Sequence, residues 1–317
     1  FSISRRIRSR SSGLRAQARA QGLAPDFVEE LYRRIIRQSR VAQTARLSRR
    51  GVRPGARVLV VGGGGSMGRY FVRWFGDAGY RVRSLDRNDW STAAERCREA
   101  DLVLLCVPID VTGTVARRLG PYLPPQCVLA DITSLKAEPL QAMLAAHSGP
   151  VLGLHPLFGP TTSSMDKQIV VVTPGRMEDA CQWVLDQFAA WGSVLVQTTP
   201  TEHDQIMGFV QALRHFATFA FGQFLCRQNA SLNRSLEFSS PIYRLELGMV
   251  GRLFAQDAEL YAEIIFATPQ RRAMLKDYIL SLGSNLEMLE KGDKNKFCEE
   301  FRRVSEWFGP FGEQAIR

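Results

Sequence analysis

The 317 residues predict an α/β chain in which a mostly parallel sheet is followed by an all-helical domain and preceded by a short helical arm. Three observations carry this. Seven short apolar runs alternate with helical patterns from Gly51 to about Pro200, a glycine-rich turn follows the first run, and beyond about Thr201 the strand signal stops. Strands of this length alternating with helices imply βαβ units. The expected domains are residues 1–50, 51–200 and 201–317.

The arm comes first. Thirteen arginines against three acids (Asp26, Glu29, Glu30) in residues 1–50 hold the whole net charge of +10, so the rest of the chain is neutral. A global basic field for nucleic acid is therefore excluded. Ala24-Pro25-Asp26 has the form of a helix start, with Pro in the first turn and acids near the positive end of the dipole. Phe27, Leu31 and Ile35 then recur at helical spacing. An Arg- and Ser-rich opening also suits an organelle transit peptide, but the helix start favours an arm whose beginning lies upstream of Phe1.

The strands are expected at Arg57–Val61, Tyr80–Leu85, Asp101–Val107, Cys127–Ala130, Val151–Leu154, Ile169–Val172 and Ser193–Gln197. After them, Ile206 to Phe224 keep a 3.6-residue period through one helix. Leu275, Ile279, Leu282, Leu286 and Leu289 mark a second, and Phe297, Phe301, Val304 and Phe308 a last. No run of about 18 apolar residues exists, so no membrane-spanning helix is expected. Six scattered cysteines without C-x-x-C spacing fit a reducing cytoplasm and argue against disulfides and structural zinc.

Gly63-x-Gly65-Ser66-Met67-Gly68 matches the dinucleotide fingerprint, and its context gives it weight: it follows a strand and opens an amphipathic helix. Glycines there let the backbone approach a pyrophosphate at a helix N-terminus, as in a Rossmann-like fold. Eighteen residues past Gly68, Asp86 ends the next strand, where an acid binds ribose hydroxyls and disfavours a 2′-phosphate. The expected cofactor is NAD, although the adjacent Arg87 weakens the preference.

Ligands of such sheets gather beyond the carboxyl ends of the strands. Val107, Ser134, Lys136 and His155 fall at such ends. An imidazole can accept a proton near neutral pH while a cofactor takes hydride, which makes His155 the candidate base, although a histidine taken alone is more often structural. In the helical domain, His203 and His215 lie in apolar helices, and Arg244 and Arg252 stand eight residues apart on nearly one face. A guanidinium fork suits a carboxylate ligand, although surface arginines are usually only solvated. No residues have metal-ligand spacing and no G-x-S-x-G occurs, which speaks against metal chemistry and hydrolysis.

With these residues in view, positions 57–312 resemble the bacterial prephenate dehydrogenases of tyrosine biosynthesis, above all the T-protein type with a chorismate mutase fused in front. The stretches that carry the resemblance are VVGGGGSMGRYF, GPVLGLHPLFGP, EHDQIMGFVQALRHFATFAFG and SSPIYRLELGMVGRLFAQD. The resemblance implies oxidative decarboxylation of prephenate to 4-hydroxyphenylpyruvate with NAD. It implies that His155 takes the ring-hydroxyl proton, Arg252 binds the ring carboxylate, and Ser134 stands beside the nicotinamide and the substrate hydroxyl. Lys136, His203, His215 and Arg244 match positions in or around the substrate site. A homodimer through the helical domain and inhibition by tyrosine follow from the same resemblance. The arm is similar to the end of a mutase domain, with a helix over Ser4–Gln21, another from Pro25, and Gln43 matching a site glutamine. Arg6-Ile7-Arg8 departs from the Arg-Glu pattern, so mutase activity is not expected of these residues. Arogenate dehydrogenase, a bifunctional mutase/dehydrogenase and an NAD-binding regulator are the competing readings; a regulator would have no use for a proton acceptor.

Overall fold

The structure, a computed structural model, describes residues 13–47 and 50–316. The chain divides into two compact units between Asp204 and Gln205.

In the first unit, α1 (13–20) leads through a turn to α2 (Pro25–Leu47), which begins at the expected proline. Arg15 ties the two helices by ion pairs to Asp26 (2.7 Å) and Glu29 (2.6 Å). The apolar stripe of α2, with Phe27, Leu31 and Ile35, is exposed. Arg6, Ile7, Arg8 and the side chain of Gln43 lie outside the described residues.

All seven expected strands form: β1 (Arg57–Val61), β2 (Arg81–Leu85), β3 (Leu102–Leu105), β4 (Val128–Asp131), β5 (Val151–Pro156), β6 (Ile169–Arg176) and β7 (Val194–Gln197). They make one sheet in the order β2-β1-β3-β4-β5-β6-β7, parallel except for the β5–β6 pair. Alternation along β1 explains the layering. Val58 and Val60 point into one apolar layer with Phe71, Phe75, Phe188 and Trp191, while Leu59 and Val61 point into the other with Leu105, Leu119 and Met143. Helix α3 (Ser66–Asp77) supplies Phe71 and Phe75 to the first layer, where Phe75 meets Trp191 edge to face at 4.9 Å. Helices α4 (Ala93–Arg98), α5 (Ile109–Leu119) and α6 (Ala137–Ala146) cover the second, and α7 (Glu178–Ala190) the first.

Three strands run past their expected ends, β4 by one residue to Asp131 and β5 and β6 further. β6 continues from Val172 to Arg176 and β5 to Pro156 because the two pair antiparallel, Val151 opposite Arg176 and Pro156 opposite Val170. Pro174 is tolerated because β7 pairs with β6 only as far as Val172.

The second unit is helical throughout its described residues. Helix α8 (Pro200–Met207) spans the division between the units and leads into a π-helical turn, Gly208–Leu213, and then α9 (Arg214–Arg227). The expected single helix is thus interrupted. There follow α10 (Leu232–Glu237), α11 (Pro241–Phe254), α12 (Ala258–Phe266), α13 (Pro269–Glu290), α14 (Lys294–Phe308) and α15 (Pro310–Ile316). Side-chain oxygens of Ser240, Asp257, Thr268 and Asp293 cap four of these helices. The apolar stripes of the unit face outward: Phe209, Phe224, Ile279, Leu286, Leu289 and Phe301 are all exposed. A cavity of about 580 Å³ between α9, α11, α12 and α13 is almost wholly apolar, with Phe216, Phe254, Tyr261 and Ile279 in its wall.

Candidate active site

The glycine turn lies where the strand order reverses, with β2 on one side of β1 and β3 on the other. Such a switch point opens a crevice beyond the strand ends. Gly62 has φ +81°, a conformation L side chains rarely adopt, and a Cβ there would lie 2.5 Å from the Cys106 carbonyl oxygen. A Cβ on Gly68 would collide with the Gly62 carbonyl. These two glycines let the turn close against the start of α3, whose N-cap is Gly65 and whose first turn contains no acid. Its positive end therefore meets no protein carboxylate of its own, and the turn fits a pyrophosphate. Gly63 belongs to the same turn, Ser66 and Met67 open α3, and Val107 follows the neighbouring Cys106. Asp86 leaves the end of β2 and accepts from the Gly64 N–H with both carboxylate oxygens (3.0 and 3.1 Å), which places an acid beside the glycine turn.

A cluster of titratable groups stands at the ends of β4 and β5, on the same end of the sheet because β1, β3, β4 and β5 run parallel. His155, in β5, is buried. Its Nδ1 lies 2.8 Å from Nε2 of His203, whose Nδ1 lies 2.7 Å from Oδ1 of Asp204. Asp204 also accepts from the backbone N–H of Lys136 (2.8 Å) and Ala137 (2.9 Å), so it caps the start of α6 from outside that helix. Burial alone would raise its pKa, but the bonds from His203 and the two N–H groups win, and the carboxyl sits below its ordinary range.

Lys136 differs from its expected substrate-binding place. Its ammonium is fully buried, paired with Asp131 and donating to the Leu154 carbonyl (2.7 Å). Burial lowers its pKa against the opposing pull of Asp131. The lysine thus anchors the residue preceding His155. Asp131 in turn accepts from the Thr133 N–H at 3.0 Å, which shapes the loop carrying the half-buried Ser134. Asp131, Thr133 and Asp204 were not legible as site residues, because only the fold brings them to His155.

In the helical unit, His215 is buried against Tyr261, their ring centroids 4.7 Å apart, and Arg214 lies 3.1 Å from its Nδ1. Burial, assisted by Arg214, lowers its pKa to about 4, so it is neutral at pH 7. Arg244 and Arg252 both stand exposed on α11. Arg244 donates to the Leu236 carbonyl (2.6 Å), and Arg252 has no ion pair among the described residues. No group of three potential metal ligands occurs among the described residues.

Two sequence-family models match the chain. Residues 78–197 match the prephenate dehydrogenase nucleotide-binding domain and residues 199–303 the prephenate dehydrogenase dimerization domain. The T-protein of Enterobacter agglomerans is 47% identical over 305 residues, covering 95% of this chain and 81% of that protein. The T-protein of Haemophilus influenzae is 42% identical, covering 96% and 80%. The chain belongs to the prephenate dehydrogenase family. Among solved structures, Aquifex aeolicus prephenate dehydrogenase in complex with hydroxyphenyl propionate and NAD+ superposes with TM-score 0.62 at 16% identity, over 84% of this chain and 99% of that one. Synechocystis arogenate dehydrogenase gives 0.59 at 18%, over 82% and 99%. At such identities these two establish the family fold and nothing finer. The glycine turn precedes residue 78, so its assignment rests on its own geometry.

Proposed function

We propose that the chain is an NAD-dependent prephenate dehydrogenase that converts prephenate to 4-hydroxyphenylpyruvate and CO2, with His155 as the proton acceptor. The observation that carries this is the buried His155–His203–Asp204 chain at the end of the sheet that also bears the glycine turn. NAD, when bound, would supply a hydride acceptor; Gly63, Gly65, Ser66, Met67 and Gly68 would hold its pyrophosphate, Asp86 its ribose, and Val107 would flank it. His155 removes the proton of the substrate hydroxyl, aided by Ser134, as the carbon bearing it loses hydride. The resulting ring carbonyl accepts the electrons released with CO2, and aromatisation makes that loss irreversible. Burial of His155 keeps bulk water from competing for the proton. Arg252 supplies the cation for the ring carboxylate, with Arg244 and a neutral His215 as further substrate contacts.

The substrate dianion needs cations and a fixed base rather than a metal. The exposed apolar surface of the helical unit and its match to a dimerization domain support a homodimer. Tyrosine, which resembles the product, is placed as an inhibitor at or near the substrate pocket. Six free thiols and no described helix long and apolar enough to cross a membrane suit a cytoplasmic site of action. One assay tests the reading: NADH formation with prephenate and arogenate side by side. Turnover of prephenate with release of CO2 is expected, and preference for arogenate overturns the substrate.

A further inference from the structure

We propose that Asp204 is a positioning residue that dictates, through His203, which ring nitrogen of His155 carries its hydrogen. The proposal rests on His155 being the base. The argument is one of donor and acceptor counting. With its pKa held below the ordinary range, Asp204 is a carboxylate at neutral pH and can only accept. Its Oδ1 lies 2.7 Å from Nδ1 of His203, so that nitrogen bears the hydrogen. A neutral imidazole has a single N–H, so Nε2 of His203 is an acceptor. Nδ1 of His155, 2.8 Å away, must then be the donor. The lone pair of His155 is thereby assigned to Nε2, the nitrogen that takes the substrate proton.

Asp204 is suited to this because it is fixed independently of the histidines. Two backbone N–H groups at the start of α6 hold both of its oxygens, and the helix dipole favours its charge. The other charged groups nearby are already engaged: Lys136 and Asp131 pair with each other, and Glu202 bonds the Thr198 hydroxyl. Among the described residues, Asp204 is the charged group paired with His203. When His155 gains a proton, the carboxylate one ring away also stabilises the cation.

The test reads the hydrogens directly. In the full chain labelled with 15N-histidine, long-range 1H–15N correlation at pH 8 should show both His155 and His203 as Nδ1–H tautomers, opposite to the preference of free histidine. The signals are assigned by their loss in His155→Asn and His203→Gln. Asp204→Ala, which removes the acceptor of the His203 Nδ1–H, should release both rings toward Nε2–H. It should lower kcat about 10- to 10³-fold with KM for prephenate changed less than about twofold, the pattern of a tautomer lost at intact geometry. Either ring found as Nε2–H in the wild-type protein overturns the proposal, a measurement that does not depend on the variant folding. So does a folded Asp204→Ala enzyme with wild-type kcat. Failure of the base assignment would be recognised separately, as full turnover by His155→Asn with the wild-type tautomers unchanged.

Discussion

The two units treat the same kinds of side chain in opposite ways. In the α/β unit the large apolar residues are closed in, Trp191 at 0% exposure, and the polar groups at the strand ends each have fixed partners. In the helical unit Trp307 is 80% and Ile242 79% exposed, and Arg244 and Arg252 stand at the surface. The difference teaches a division of labour. A base must be held dry and in one tautomer, which a doubly covered sheet provides through buried hydrogen bonds. A helical unit with this much exposed apolar surface suits packing against a partner, and its exposed guanidinium groups suit charge recognition rather than proton transfer.

The largest effect should come from the closed unit. His155→Asn keeps a hydrogen bond and removes the base, so kcat should fall about 10²–10⁴-fold while KM for prephenate changes little. The wild-type rise of kcat with pH through one ionisation should vanish in the variant. A pH–rate profile that keeps both kcat and this limb would show that the polar chain of the α/β unit is structural.

Arg252→Ala probes the open unit and should do the reverse. Losing one charge-assisted partner corresponds to an increase in KM for prephenate of about 10- to 100-fold, with affinity for NAD unchanged. Steady-state kinetics in which kcat falls and KM stays constant would break the contrast between the units. Asp86→Ser should have a smaller effect: removal of the carboxylate beside the glycine turn should raise the ratio of NADP to NAD efficiency by about tenfold. A wild-type enzyme that already prefers NADP would remove Asp86 from the ribose site.

What was legible in the sequence follows the same division. Seven strands could be read because each is a short run with apolar residues, those of β1, β3, β4 and β5 buried on two faces, and the glycine turn because its local sequence is sufficient. The end of β6 was not, since Thr173-Pro174-Gly175-Arg176 has no apolar pattern and is held as strand only by pairing with β5. His155 and His203 could be suspected separately. Their link, and the part of Asp204 in it, depends on α8 returning to the start of α6. Lys136 was expected at the substrate from the resemblance alone, and the structure pairs its buried ammonium with Asp131. In the helical unit periodicity located the helices but not what their stripes pack on, because a stripe that packs on a partner has the same spacing as one that packs on its own core.

The smallest expected effect concerns acid stability. His215 in the helical unit has a folded pKa of about 4, against an unfolded value near 6.5. Between these values the unfolded chain binds the proton and the folded one does not, so stability is full above about pH 6.5 and declines as pH falls toward 4. One proton can contribute at most about 1.4 kcal/mol per pH unit, and the partial solvation of the ring keeps it below that ceiling. His147 in the α/β unit, lowered by burial against its 2.7 Å bond to the Cys127 carbonyl, adds loss of the same sign. His215→Phe keeps a ring against Tyr261 and removes only the first contribution. Denaturant unfolding at pH 7, 6 and 5 should therefore show a shallower loss in the variant than in the wild-type protein. Parallel slopes would mean that acid opens the α/β unit first, and that the helical unit, for all its exposed apolar surface, is not the part of the molecule that protons unfasten.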